Sequence, residues 1–205
     1  RAIEAAARSS DPVGALAIPA QRTLWIDVSV LAKVDSGTGI QRVVRAIANH
    51  LIEPISSAGL RVELVHLHQR LEEPFCIRRA LRLSERWLGM TPEALGEESI
   101  VLPQAGDIYL LLDLHTDAVS RNEALFAALA SRGIRLHAVV YDLLPISNPE
   151  WFPNDAARSF IDWAQVVAKH ACGLHAISKA SAFAVRSLLA PAGKVEWFHL
   201  GADIE

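Results

Sequence analysis

The chain has 205 residues, with 20 Lys+Arg against 23 Asp+Glu and a formal net charge of −3 with histidine neutral, so it offers no global basic field to nucleic acid. At 51% apolar and 21% charged residues the composition is that of an ordinary globular domain, which excludes general disorder. No run of about 18 apolar residues marks a membrane span.

Residues 1–22 are rich in alanine, carry Arg1, Glu4, Arg8 and Asp11, and lack the apolar centre of a signal peptide. They read as an extension, flexible or not, ahead of a single domain at 23–205, and the compartment expected is the cytoplasm. Cys76 and Cys172 form neither a CxxC pair nor a disulfide framework and are expected as small core residues. Arg1 at the start, Met90 as the single methionine and a stop soon after an apolar run read as a piece excised from a longer polypeptide.

The first strand is expected over Leu24–Val30 (LWIDVSV), followed by the loop Asp35-Ser36-Gly37-Thr38-Gly39. Ile40, Val43, Val44, Ile47 and Leu51 then share one helical stripe, with Pro54 and Gly59 as its end. Arg61–His68 alternates as a strand should. Residues 69–104 read as an insertion or flap containing an amphipathic helix around Leu81, Leu83, Trp87 and Leu88. Asp107–His115 (DIYLLLDLH) is a strand covered on both faces, Asn122–Arg132 a helix closed by Gly133, and Arg135–Ile146 another buried strand. A helix over 154–171 presents Phe160, Trp163, Val167 and Ala171 on one face. Gly173–Ser178 is a strand, Ser178 caps a helix through Leu189, and Lys194–Leu200 is the last strand. Such alternation defines an α/β domain with a mainly parallel sheet and helices on both faces.

In parallel sheets ligands bind beyond the carboxyl ends of the strands, where loops gather helix N-termini. There lie Gly37, Thr38, Gly39 and Arg42, suited to an anion or, equally, a plain turn with a Thr38 cap. His115 and Asp117 follow one strand. Asp142 stands at the end of another, either facing a cleft or accepting backbone N–H bonds in the Pro145 loop, and Ser178 follows a third. The third glycine of a dinucleotide fingerprint is missing, since Arg42 stands there. Ser178 lacks the glycines of a nucleophile elbow. His66 and His68 share a strand face, but no carboxylate partner for a metal is evident in sequence. Of the tryptophans at 25, 151, 163 and 197, the loop residue Trp151 is the candidate for stacking on a sugar; the others are expected in the core.

Thr38–Arg45 (TGIQRVVR), Val139–Ile146 (VVYDLLPI) with Pro149–Phe152 (PEWF) after it, Ala176–Ser178 (AIS) and Phe198–Asp203 (FHLGAD) occur in that order. Together they resemble the N-terminal half of the family 4 retaining glycosyltransferases, which have a B-type fold of two Rossmann-like domains. The resemblance implies the acceptor-side domain of a nucleotide-sugar-dependent hexosyltransferase building bacterial polysaccharide or lipopolysaccharide. Gly37, Thr38, Gly39 and Arg42 would face the donor diphosphate; Asp142 and Tyr141 would border the transferred sugar as catalytic residues; His115, Trp151 and Ser178 would meet the glycan or glycolipid acceptor. The family often has histidine where Tyr141 stands. It implies no cofactor and no metal, and its donor-holding glutamates belong to a C-terminal domain absent from this chain, so the chain alone should be inactive. Peripheral contact with the inner face of the membrane stays open, as does a non-catalytic Rossmann-like module binding a nucleotide or a partner.

Overall fold

The computed structural model describes residues 21–57, 59–69, 75–89, 91 and 99–201, with the side chains of 53–57 excepted; most of the predicted extension at 1–22 and much of the predicted insertion lie outside it. The strands are β1 (Thr23–Asp27), β2 (Arg61–His68), β3 (Cys76–Arg79), β4 (Ile108–Leu111), β5 (Arg135–Val140), β6 (Gly173–Ala176) and β7 (Lys194–Trp197). They form one sheet in the order β3-β2-β1-β4-β5-β6-β7. Every pairing is parallel except β2 with β3, where His66 lies opposite Arg78. This is a Rossmann-like α/β domain, and the order in which strands are added to the sheet reverses between β1 and β4.

Side-chain alternation along the strands feeds two cores. On one face Trp25, Tyr109, Leu111, Leu136, Val140 and Leu174 pack with Phe126, Phe160, Trp163 and Val185. On the other, Leu24, Ile26, Leu64, Leu110 and Val139 pack with Val44 and Ala48. The helices are α1 (Ser29–Lys33), α2 (Gly39–Ser57), α3 (Leu81–Leu88), α4 (Thr116–Ser120), α5 (Glu123–Ser131), α6 (Leu144–Ser147), α7 (Asn154–His170) and α8 (Lys179–Leu188). Helices α4, α5, α7 and α8 supply the first core, α2 and α3 the second. Among the described residues no helix is long and apolar enough to cross a membrane.

Several boundaries differ from the sequence expectation. The first strand ends at Asp27, because Ser29 and Val30 open α1. Helix α2 passes through Pro54 and ends at Ser57; its most deeply buried line is Gln41, Val44 and Ala48, flanked by the expected aliphatic residues. The β4 and β5 strands stop several residues early, and Leu144–Ser147 is helical. Cys76 is half-buried and Cys172 exposed, with its thiol donating to the Leu136 carbonyl at 3.1 Å, so neither is a core residue. Trp197 is also exposed, whereas Trp25 and Trp163 are buried.

The Asp107 carboxylate staples the amino edge. It accepts the Thr23 and Gln104 backbone N–H groups and the Trp25 indole N–H, at 2.8–2.9 Å. Where β7 begins, Gly193 packs so tightly that an added Cβ would lie 2.4 Å from the Ala171 carbonyl oxygen and from the Cys172 carbonyl carbon. Both are backbone atoms, so relief requires β7 to move. Gly193→Ala is expected to cost about 1–3 kcal/mol, read from the midpoint of denaturant unfolding; an unchanged midpoint would refute this close approach.

Candidate functional site at the carboxyl edge of the sheet

Parallel pairing places the carboxyl ends of β1, β4, β5 and β6 on one edge, and with them Asp27, Asp113, Asp142 and Ser178. The deepest group is Asp27, buried to 1% exposure. Its Oδ1 accepts the Ser29 N–H at 2.9 Å and the Ser29 hydroxyl at 2.5 Å, and its Oδ2 accepts the Tyr109 hydroxyl at 2.6 Å. The Ser29 hydroxyl oxygen in turn accepts the Leu67 N–H at 2.8 Å, which brings β2 into the network. Burial outweighs these donors and pushes the Asp27 carboxyl up to about 6.

Asp113, just beyond β4, accepts the Leu31 N–H at 2.7 Å and its neighbour Leu114 N–H at 3.0 Å, so it anchors the start of α1. Burial raises its pKa as well. Its own N–H donates to the Asp27 carbonyl at 3.1 Å, joining the two strand ends. Sequence reasoning passed over both acids, although each closes an apolar run, in LWID and LLLD.

His115 follows in the same loop, half-buried, with its pKa lowered to about 4 by burial first and then by the Lys33 ammonium, against a smaller opposing effect of Asp117. The imidazole is therefore neutral at physiological pH, able to donate through one nitrogen and accept through the other.

The loop before α2 is organised from inside by Gln41, 3% exposed. Its carboxamide oxygen accepts the Ser36 N–H at 2.9 Å and the Thr38 N–H at 3.3 Å, while its nitrogen donates to the Val34 carbonyl at 2.6 Å. Thr38 caps the helix, its hydroxyl accepting the Gln41 N–H at 3.2 Å. Gly37 occupies the left-handed region with φ of 64° and gives its N–H to Asp35. Most loop N–H groups expected to meet an anion thus serve the loop itself. The N–H groups of Gly39 and Ile40 keep the first-turn position that leaves helix donors without intrahelical partners. The cation that engages the loop is Arg45, paired with Asp35, rather than Arg42, which is exposed.

Asp142 and Tyr141 diverge. Asp142 is exposed, and its carboxylate accepts the Leu144 N–H at 3.0 Å, so the desolvation anticipated from its place after a buried strand does not occur. Tyr141 is 5% exposed and donates its hydroxyl to the Leu112 carbonyl at 2.7 Å, tying the ends of β5 and β4; it supports the edge and does not face out. Trp151 stands 66% exposed on the turn Pro149–Trp151. The Ser178 hydroxyl accepts the Ser181 N–H at 3.0 Å as the cap of α8, and the Ser181 hydroxyl donates to the Tyr141 carbonyl at 3.0 Å. The edge therefore carries an exposed carboxylate, a neutral imidazole, a lysine, an exposed indole and the start of α2. This set can hold hydroxyl-rich and anionic groups side by side.

An open α/β domain with polar groups gathered at its switch point is a ligand-binding scaffold used by many enzymes. No protein-family model matches the chain. It is similar to serotype-specific mannosyltransferases WbdA of Escherichia coli: three such proteins are 30%, 29% and 29% identical to it over 194 residues, which is 90% of this chain. The chain spans 23%, 22% and 23% of their lengths, about a quarter of each.

Two measurements check the electrostatics. The Asp27 carboxyl holds its proton more tightly when folded, so its favourable contribution is full below its ordinary value of 3.8 and is lost as pH rises through about 6. Between those limits the stability of the chain relative to Asp27→Asn should fall by about 3 kcal/mol; a difference independent of pH would refute this. In NMR titration His115 should titrate near 4 and shift upward in Lys33→Met. A His115 midpoint near 6.5 in the native chain would contradict its burial beside Lys33.

Proposed function

We propose that this chain is the Rossmann-like, acceptor-side domain of a retaining glycosyltransferase whose native polypeptide transfers a mannosyl residue from a nucleotide-diphosphate sugar to a growing surface polysaccharide. The observation that carries this reading is the similarity to the E. coli mannosyltransferases over 90% of the chain. The ordered motifs that resemble those of family 4 enzymes of the B-type fold, and the polar groups at the sheet's carboxyl edge, support it further. In this reading a C-terminal domain holds the donor, the reaction takes place in the cytoplasm at or near the inner face of the membrane, and no cofactor is called for.

Retaining transfer passes through an oxocarbenium-like transition state with a departing diphosphate, so the groups needed are a negative charge near the sugar, positive charge near the phosphates and a positioned acceptor hydroxyl. Asp142 supplies the first, its carboxyl group being exposed just beyond β5. The Gly39 and Ile40 N–H groups at the start of α2, together with Arg42, supply the second. His115, neutral and half-buried, can accept the hydrogen of an acceptor hydroxyl or donate to its oxygen, and Trp151 offers a stacking face to a sugar ring. Tyr141 and Ser178 hold the backbone that presents these groups.

Asp142→Asn separates chemistry from structure, because an amide oxygen can still accept the Leu144 N–H. In the native polypeptide, assayed with a nucleotide-diphosphate mannose, turnover should fall at least tenfold, about 1.4 kcal/mol of barrier, with the melting temperature unchanged. Unaltered turnover would make Asp142 a cap alone, and no mannosyl transfer by the intact native polypeptide would overturn the proposal.

A further inference from the structure

Between the end of β2 and the start of α3 lies a cavity of about 410 Å³. Lys33, His66, His68 and Arg82 line it with the turn Ala80–Leu83, and among the described residues no carboxylate lines it. Lys33 comes from the last turn of α1, the histidines from alternate positions of β2, and Arg82 from the first turn of α3, which carries no acidic residue. Three separate elements thus bring cationic or ionisable nitrogen to one concave place. The Leu81 and Arg82 N–H groups sit in the first turn of an eight-residue helix, where donors lack intrahelical acceptors. The volume is within the range of small-ligand sites and suits a phosphate with an attached sugar ring.

The cavity lies beside the carboxyl half of β2, one strand outward from β1, where Asp27 and the start of α1 stand. Lys33 belongs to both places: it lines the cavity, and its charge acts on His115.

We propose that this cavity is a phosphate subsite for the acceptor, in which Lys33 and Arg82 hold a phosphate group while the rest of the acceptor extends toward His115. The assignment rests on the transferase reading for the word acceptor, but phosphate binding itself can be measured without any transfer assay. The phosphate can belong to a lipid headgroup or to a soluble glycan; the recognition chemistry is the same.

The test follows the histidine ring signals of the chain by NMR during titration with inorganic phosphate at constant ionic strength. Phosphate beside Lys33 should offset the ammonium charge, shift the His68 signals and raise the His115 midpoint, with saturation in the millimolar range; acetate at equal ionic strength should do neither. Arg82→Met and Lys33→Met should each weaken phosphate binding at least fivefold. Arg86→Met, one turn further along α3 and outside the cavity, should bind as the native chain does. Vesicles of phosphatidylcholine containing phosphatidic acid, compared with phosphatidylcholine alone, distinguish the sources: competition with inorganic phosphate assigns a lipid headgroup, and its absence a soluble acceptor. Failure of phosphate to perturb either histidine, equal effects of acetate, or undiminished binding in both cavity variants would overturn the proposal. Mannosyl transfer by the native polypeptide, assayed on an acceptor without phosphate, judges the transferase reading separately.

Discussion

The carboxylate of Asp27 sits where β2, β1 and β4 come together, and the carboxyl edge is built around it. A buried acid is costly unless it is fully hydrogen-bonded. Here the need for donors draws in the Ser29 N–H and hydroxyl, the Tyr109 phenol and, through Ser29, the Leu67 amide. That requirement ends β1 at the acid and, one residue on, turns the chain into α1. Asp113 repeats the device one strand away by accepting the Leu31 N–H at the start of the same short helix. Two acids thus fix a five-residue helix that has little packing of its own, and α1 in turn places Lys33.

The two ends of the sheet are held by the same chemistry with different results. At the amino edge Asp107 gathers three N–H groups and is itself enclosed by them. At the carboxyl edge the acids, Tyr141 and Ser181 satisfy backbone groups from beneath, and Asp142 and Trp151 are left exposed beside the half-buried His115. Rigid support below and polar groups above is the arrangement that positions a substrate at low entropic cost.

The architecture was legible because strong local signals agreed. Arg61–His68 is found as a strand with those bounds, though with both faces covered over Val62–Leu67 rather than one, and Phe160, Trp163, Val167 and Ala171 are buried as their spacing requires. Strand ends were less legible. Continuous apolar runs such as RLHAVVYDLLPI do not reveal where a strand yields to a turn, and Pro54 does not stop a helix whose other side is already packed on the sheet. The acids show the limit most clearly. Asp27, Asp113 and Asp142 all close apolar runs, yet only the first two are covered by α1, while α6 leaves the third exposed. Burial there depends on what folds back over the residue, which no window around it contains. The inward partner of the anion-suited loop was also hidden, because Gln41 reads as a polar residue on a helix surface until Val34, Ser36 and Thr38 are seen wrapped around its amide.

That amide has a further consequence. A glycine-containing bend with no internal support samples many shapes, and a ligand that selects one must offset the lost freedom from its own binding energy. With Gln41 as an internal template, the bend reaches its shape during folding, before any ligand arrives. In the proposed role, a group arriving at this corner would meet a bend already set, and replacement of Gln41, whose amide is spent on Val34, Ser36 and Thr38, would show itself as a slower, weaker and less selective encounter.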